Sequence, residues 1–235
     1  MKRTKPPAWG DLLSIFLISI TAVLITWTGI VYKQDVFRIV PLYVSLVVGL
    51  LQARANRYAC LIGSLNSILY AVVYFSFDLY ASAAYALLAS FPIQLITFLR
   101  WRKRAYKHST EFRRLSGKQW AILGGLFVVS FAALYAITTL AGSGYRLLDN
   151  SVTLFGIVIS ILTMLSFREY SWLMLISGSL TIALDATMMA DHPAQITYLI
   201  FACYSMICIV RQFFSVRGLY REQLQQRKEQ CDENH

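Results

Sequence analysis

The chain has 235 residues, of which 57% are hydrophobic and 14% are charged, and its mean hydropathy is +0.54. An ordinary soluble domain has roughly 25% charged residues, and one of this length could not bury so much apolar surface in a single core. The formal net charge of +10 arises from basic residues at the chain ends and between apolar blocks. That distribution is typical of membrane topology and excludes a nucleic-acid-binding face on a soluble domain.

Eight apolar blocks follow one another along the chain. They cover residues 11–32, 36–52, 58–76, 79–99, 120–140, 151–167, 172–190 and 193–216. Each is close to the roughly 17–25 residues that cross a hydrocarbon core as a helix. The first block is longer than the apolar region of a secretory signal and no cleavage site follows it, so we expect it to be retained. The sequence predicts an all-α polytopic membrane protein with eight transmembrane helices.

The segments between the blocks predict an orientation. Residues 100–118 carry eight Lys or Arg against the single Glu111, which indicates a basic cytoplasmic loop more than a nucleic-acid patch. With the N-terminus inside, the basic turns at Arg54 and Arg168 and the tail lie on the same side as this loop. The outer segments carry few basic residues, namely Lys33, Arg38 and Arg146. We therefore expect a multi-pass membrane protein with both termini in the cytoplasm.

Two segments of similar sequence indicate an internal repeat. GSLNSILYA covers residues 63–71 and GSLTIALDA covers residues 178–186, each in the middle block of a group of three. The groups are four blocks apart, so the copies are parallel, with their site near the midplane between them. The predicted units are an extra N-terminal helix (1–35), the first three-helix repeat (36–101), a basic loop (102–118), a linker helix with its outer turn (119–148), the second repeat (149–217) and a tail (218–235).

Polar and aromatic residues in the third and fourth blocks predict one side of a binding site. Asn66 and Tyr70 are four residues apart and share a helix face, which Tyr74 continues, while Tyr85 lies within the next block. A buried amide needs a hydrogen-bond partner. For Asn66 that partner could be a neighbouring helix or a ligand, and both readings stay open.

Pro92 and Gln94 form a second feature of the fourth block. A proline inside a helix frees a backbone carbonyl and bends the helix, and Gln94 follows two residues later, where it could bond such a carbonyl or a ligand. We predict that Pro92 is a hinge for alternating access, with a static kink as the alternative.

The second group of blocks supplies the other side of the predicted site. Asp185 stands where the repeat places Tyr70, and a carboxyl so far inside an apolar block is costly. It could bond a ligand hydroxyl, carry a proton, or be hydrated near the outer surface. Trp172 is either a membrane anchor or a pocket residue, and Tyr198 is the counterpart of the Tyr85 region. We include all three in the predicted substrate site.

Catalytic and metal-binding motifs are not found in the sequence. It has no HExxH, no GxSxG and no glycine-rich phosphate loop with lysine, and its four cysteines lack metal-ligand spacing. We therefore expect no cofactor and no enzymatic activity. An intramembrane enzyme or assembly factor remains an alternative, but it would need an ionisable pair, and Asp185 has no evident partner within the blocks.

The order of several motifs resembles the PnuC family of vitamin transporters over roughly residues 36–217. The motif residues are Asn56–Tyr58, Gly63, Tyr70, Leu79–Ala81, Tyr85, Pro92, Gln94, Phe98 and Trp101, followed by Leu148–Asp149, Arg168–Glu169 and Trp172. Thr97 replaces a glycine of the pattern, and Leu175 and Ile176 stand where a second Trp is expected. Both departures bear on which vitamin is carried.

The resemblance implies an enlarged relative of the SWEET sugar carriers, with two three-helix repeats and one linker helix. Such carriers take up nicotinamide riboside, thiamine or riboflavin by facilitated diffusion, and a cytoplasmic kinase traps the vitamin. An aromatic ring suits tyrosine and tryptophan faces, and a cationic ring gains further from them. We expect a nicotinamide riboside carrier, with thiamine or riboflavin as alternatives. The resemblance allows a homo-oligomer, although no residue here indicates one.

Overall fold

The computed structural model describes residues 8–76, 86–140 and 145–232, with the side chains of 8–12, 73–76, 146 and 232 left out. Its helices are α1 (Ala8–Val31), α2 (Val36–Ala53), α3 (Tyr58–Ser76), α4 (Phe91–Lys103), α5 (Gly117–Leu140), α6 (Arg146–Met164), α7 (Tyr170–Asp191) and α8 (Ile196–Asp232). A π-helical turn (Ala86–Ser90) precedes α4, and a 3₁₀ turn (Pro193–Gln195) precedes α8. Two short strands, β1 (Ala105–Tyr106) and β2 (Ser109–Thr110), form an antiparallel hairpin.

The helices are long and apolar enough to identify a multi-pass membrane protein. Six spans in the described residues reach the length and hydropathy of a membrane crossing, and α3 contributes a shorter apolar helix over Tyr58–Val72. The predicted fourth block begins within 77–85, outside the described residues. Many large apolar side chains point outward, and α5, which packs along α6, has no buried residue. Such a surface suits a lipid environment and not water.

Two ends of the bundle can be told apart by the contacts between turns. At the end that we call the hairpin end, the backbone N–H of Arg57 donates to the carbonyl of His108 at 3.1 Å. At the opposite end, the side chain of Gln34 donates to the carbonyl of Ala194 at 2.7 Å. Consequently α2, α4, α6 and α8 run toward the hairpin end, and α1, α3, α5 and α7 run away from it. Residues 8 and 232 both lie at the hairpin end.

The segment between α4 and α5, predicted as a charged loop, is ordered around the hairpin. Arg113 extends it by pairing with the turn after α6, where its N–H donates to the carbonyl of Ser166 at 2.9 Å and its carbonyl accepts from Arg168 at 3.0 Å. The segment thus contacts turns of both helix triplets, α2–α4 and α6–α8.

The first core cluster joins α1, α2 and α8. It contains Ile25, Leu42, Leu46, Ala53, Tyr204 and Cys208. The hydroxyl of Tyr204 donates to the carbonyl of Leu46 at 2.8 Å. Gly49 allows this close approach, because a Cβ there would lie 3.3 Å from the Tyr204 ring. The extra N-terminal helix therefore packs across the seam where the first helix of one triplet meets the last helix of the other.

The second core cluster lies at the hairpin end and is aromatic. Trp101, Phe112 and Tyr170 pack together with ring centroids 5.8–6.3 Å apart. The other buried members of the cluster are Ala55, Leu115, Leu162, Leu173, Val216 and Leu219. Aromatic pairs at this separation add stability beyond their buried area. The cluster joins α4, the hairpin segment, α6, α7 and α8 into one packed unit.

Three of the described helices are followed by a non-glycine residue whose backbone has the left-handed conformation. These residues are Lys33 after α1, Ala55 after α2 and Ser166 after α6, with φ of 48°, 50° and 62°. In each case the N–H of the next residue returns to a carbonyl of the last turn, as in Asn56 to Leu51 at 3.0 Å. This arrangement satisfies the last carbonyls of a helix, and glycine is the residue that usually adopts it.

Candidate functional site

A cavity of about 770 Å³ lies between the two triplets. Its walls are built from α2, α3, the π-helical turn and α4 on one side, and from α6, α7 and α8 on the other. Neither α1 nor α5 contributes a lining residue among those described. The volume lies in the range of small-molecule sites.

Gln94 of α4 lines the first wall and is held by two serines. Its Nε2 donates to the hydroxyls of Ser67 and Ser90, both at 3.0 Å, and these hydroxyls lie 2.9 Å apart. Its Oε1 lies directly over Gly63, where an added Cβ would be 2.1 Å away. The glycine is therefore required for α4 to place this amide against α3.

Tyr70 of α3 also lines the first wall, and Asn66 supports it from behind. The Nδ2 of Asn66 donates to the hydroxyl of Ser45 at 2.8 Å and to the carbonyl of Pro41 at 3.2 Å. The same Ser45 hydroxyl lies 3.4 Å from the Tyr70 hydroxyl. Asn66 itself is buried and does not line the cavity. It acts through Ser45 as a positioning residue between α2 and α3.

Asp185 of α7 lies on the second wall. The residue is 9% exposed, and its carboxylate accepts a hydrogen bond from the Nε2 of Gln195 at 3.3 Å. Tyr198 of α8 lines the same wall, and the guanidinium carbon of Arg38 lies 5.8 Å from the centre of its ring. A carboxylate and aromatic rings thus share this part of the cavity.

The hairpin end of the cavity is closed by aromatic rings. Trp101 and Tyr170 line it and are almost fully buried, with Phe112 packed against both. The indole N–H of Trp101 donates to the carbonyl of Thr163 at 2.8 Å, and the Nε2 of Gln212 donates to the Tyr170 hydroxyl at 3.1 Å. These bonds hold α4 to α6 and α7 to α8 beneath the cavity.

The lining as a whole favours binding over catalysis. Hydroxyls, amides and aromatic rings alternate with aliphatic surface, and Asp185 is the one formally charged side chain among the described lining residues. No group of three or more His, Cys, Asp or Glu that could hold a metal ion occurs in the described part of the chain. Acid–base or nucleophilic chemistry would need a nucleophile or a second acid or base bonded to Asp185, and the hydrogen bond that its carboxylate accepts comes from the amide of Gln195.

Comparison with known proteins identifies the family. The family model described as nicotinamide mononucleotide transporter matches residues 35–213. The chain belongs to this transporter family. A curated relative, the nicotinamide riboside transporter PnuC of Neisseria mucosa, is 27% identical over an alignment of 157 positions that covers 62% of this chain and 60% of the relative. The match thus spans less than two thirds of that relative's length. These findings confirm the resemblance to the PnuC family.

A solved structure shares the fold of this transporter-family chain. The crystal structure of the vitamin B3 transporter PnuC superposes with a TM-score of 0.72 at 21% identity, over 93% of this chain and 94% of that one. The relatives found are described as transporters and not as enzymes. The chain is accordingly a transporter-family membrane protein, and the prediction that it is no enzyme agrees with its relatives.

Four residues predicted as site residues line the cavity of this family member. They are Tyr70 and Gln94 on the first wall and Asp185 and Tyr198 on the second. The side chains of Tyr74 and Tyr85 lie outside what the structure describes. Pro92 stands at the start of α4 directly after the π-helical turn, so the bend predicted there coincides with an irregular helical turn.

Two predicted site residues lie elsewhere. Asn66 makes the helix–helix hydrogen bonds that the sequence left open as an alternative. Trp172 is 39% exposed and packs against Trp120 of α5 with ring centroids 5.8 Å apart. Trp172 lies in the first turn of α7, on the side of the helix that faces α5, and it is therefore outside the cavity.

Several lining residues were missed, although their spacing carries a signal. Ser177 and Thr181 precede Asp185 at intervals of four residues, which forms one polar stripe along α7. On α8, Tyr198 and Gln212 lie two heptads apart on one face. Trp101 and Tyr170, which close the hairpin end, also line the cavity. A search for polar residues repeating along single helix faces would have found both stripes.

Proposed function

We propose that the chain transports a small aromatic vitamin precursor across the bacterial plasma membrane, with nicotinamide riboside as the favoured cargo. The observation that carries this proposal is the cavity between the two triplets, which combines tyrosine and tryptophan rings with amides, hydroxyls and one carboxylate. A nucleoside with an aromatic base offers matching groups: a flat ring for the aromatic side chains and ribose hydroxyls for Gln94 and the serines beside it. Family membership supports the vitamin B3 class of cargo.

The mode of transport in this proposal is facilitated diffusion followed by trapping through a cytoplasmic kinase. Purified protein in liposomes, given labelled nicotinamide riboside without an ion gradient or ATP, is expected to equilibrate the label across the membrane. Excess unlabelled riboside should compete, and thiamine and riboflavin should compete less. Stronger competition by thiamine would identify thiamine as the cargo. In that case Thr97 is the residue to examine, because it lies in the cavity wall and replaces the glycine of the family pattern.

Two variants separate direct from indirect contacts in this assay. Gln94→Ala removes a lining amide and should weaken uptake of the riboside while the protein still inserts. Asn66→Ala should act through α2–α3 packing, so it should lower thermal stability together with uptake. Normal uptake by a well-folded Gln94→Ala protein would remove Gln94 from the proposed site.

The proposed architecture is a pair of parallel three-helix repeats, 36–101 and 149–217, joined by the linker unit 119–148. Support comes from helix direction, since α2 and α6, α3 and α7, and α4 and α8 run the same way. In addition, the paired glycines of the repeat each face the third helix of their triplet, Gly63 facing Gln94 and Gly178 facing Met206. Pro92 with its π-helical turn would then be a hinge in the first repeat.

The proposed orientation puts the hairpin end and both termini in the cytoplasm, which agrees with the positive-inside rule. A variant that keeps only Cys231, an exposed residue near the end of α8, should react with a membrane-impermeant maleimide only after cells are permeabilised. Lys33→Cys in a cysteine-free background should react in intact cells, because Lys33 is exposed at the opposite end. A homo-oligomer is tested by the mass of the purified protein in native mass spectrometry.

A further inference from the structure

One side chain supplies the formal charge of the cavity lining. Asp185 carries the one formal charge among the described lining residues, and no Lys, Arg or His lines the cavity with it. None of the ion pairs in the described part of the chain involves this carboxylate. Arg38 lies over the ring of Tyr198 but is not a lining residue. The cavity therefore presents a single uncompensated acid to whatever enters it.

The described side chains satisfy only part of the hydrogen-bonding capacity of Asp185. An ionised carboxylate accepts about four hydrogen bonds, whereas the described residues supply one, from Gln195 at 3.3 Å. That bond reaches Oδ1 and is longer than the usual charge-assisted bond. An ionised carboxylate removed from bulk water is stabilised by a nearby cation. Nothing in the described cavity wall provides one, so the cargo is the available source.

The surroundings of Asp185 suit an aromatic cation. Tyr198 and Phe201 of α8 and Tyr70 of α3 line the same cavity, and aromatic faces attract a cationic ring. The polar stripe of Ser177 and Thr181 continues from Asp185 along α7 and offers hydroxyls to a sugar. A ring that carries one positive charge, attached to a polar group, matches the charge and the residue types of this wall.

We propose that Asp185 selects the cargo by charge, so that the cavity binds a molecule with a singly cationic aromatic ring in preference to its neutral counterpart. This inference rests on the proposed transport function and narrows it. It favours the pyridinium of nicotinamide riboside or the thiazolium of thiamine over the uncharged ring system of riboflavin. Asp185 would face the cationic ring of the bound cargo.

The test compares two forms of one molecule. Nicotinamide riboside is a pyridinium cation, and its dihydro form carries the same ribose on a neutral ring. Binding of each to the purified full-length protein is measured by calorimetry. Wild-type protein is expected to bind the cationic form roughly tenfold more tightly, the size of one charge-assisted contact. Equal affinity of the wild type for both forms would overturn the inference, and this comparison needs no variant.

Two variants assign the preference to Asp185. Asp185→Asn keeps the shape and an acceptor for Gln195, and it is expected to lose the tenfold preference by binding the cation more weakly. Asp191→Asn removes the same charge from an exposed position on the same helix and should keep the preference. If Asp185→Asn retained the preference, or if Asp191→Asn lost it equally, the inference would be overturned.

The same binding measurements distinguish a failure of the proposed transport function from a failure of the charge selection alone. Wild-type protein that binds neither form of the riboside, nor thiamine, would overturn the proposed cargo and the charge selection together. Wild-type protein that binds riboflavin more tightly than either cation would overturn the charge selection and leave a vitamin carrier of the same fold.

Discussion

The side-chain Oε1 of Gln223 accepts a hydrogen bond from the backbone N–H of Phe112 at 3.0 Å, across 111 residues of sequence. Its Nε2 also donates to the carbonyl of Thr110 at 2.9 Å. One buried amide on α8 therefore satisfies two backbone groups of the hairpin segment. This contact holds the Phe112 ring against Trp101, which closes the hairpin end of the cavity.

Gln223→Ala is expected to destabilise the folded protein by about 1–3 kcal/mol, because it leaves buried backbone groups without partners. The measurement is thermal unfolding of the purified protein in detergent. Gln226→Ala, at an exposed position on the same helix, is the control and should unfold at the wild-type temperature. Equal melting temperatures for both variants would mean that the hairpin contact contributes nothing to stability.

Gly63→Ala is expected to impair cargo binding more than stability. The new Cβ would lie 2.1 Å from the Oε1 of Gln94, so the amide must swing away from the serines that hold it. Affinity for the riboside should fall roughly tenfold, the size of one lost hydrogen bond to the cargo. Gly124→Ala in α5, where a Cβ meets nothing within 4 Å, should leave affinity unchanged, and unaltered binding by Gly63→Ala would contradict the role given to Gln94.

A pair of tryptophan variants tests the placement of the cavity. Trp101→Phe removes the N–H that bonds the Thr163 carbonyl and alters the cavity lining, so riboside affinity should decrease severalfold. Trp172→Phe changes a ring that packs on Trp120 outside the cavity, so affinity should remain at the wild-type value. Calorimetric titration of both proteins gives the comparison, and a reversed order would place the binding site on the other face of α7.

Lys33→Gly is expected to raise the unfolding temperature by a few degrees. Lys33 is exposed and has a φ of 48°, a backbone conformation that costs roughly 1 kcal/mol for a residue with a Cβ. Glycine adopts this conformation without that cost. The control is Ala133→Gly at an exposed position within α5, where glycine should lower the unfolding temperature. A decrease for both variants would show that flexibility of the unfolded chain dominates at Lys33.

The membrane spans were predictable from the sequence because hydrophobic length is a local property. Most of the predicted blocks agree with the described helices to within a few residues. The fourth block is the exception at its start, because residues 77–85 lie outside the described residues and α4 begins only at Phe91, after the π-helical turn. The eighth is the exception at its end, because α8 continues through the polar tail to Asp232. The hairpin segment was not predictable in this way. Its partners Gln223 and Ser166 lie far away in sequence, and nothing in a local charge pattern indicates them.

The sequence allowed us to predict which residue types form the candidate site, but not which side chains contact one another in it. Helical spacing correctly put Asn66 and Tyr70 on neighbouring parts of one helix, yet only the position of Ser45 on α2 decides that Asn66 supports Tyr70 from behind. Trp172 was similarly ambiguous, because an aromatic residue at a helix start suits either a pocket or a packing partner. The neighbouring helix determines which of the two applies.

The length of α8 has a mechanical consequence. At about 1.5 Å per residue, its 37 residues form one rod of roughly 55 Å, nearly twice the ~30 Å of a hydrocarbon core. Tyr198 lines the cavity near one end of this helix, and Gln223 hydrogen-bonds the hairpin segment near the other end. A tilt of about five degrees at the cavity would swing the far tip by roughly 5 Å, as follows from that length. If cargo binding tilts α8 in this way, a fluorophore attached to the exposed Cys231 would be displaced by about that distance, and its signal would follow cargo binding in real time.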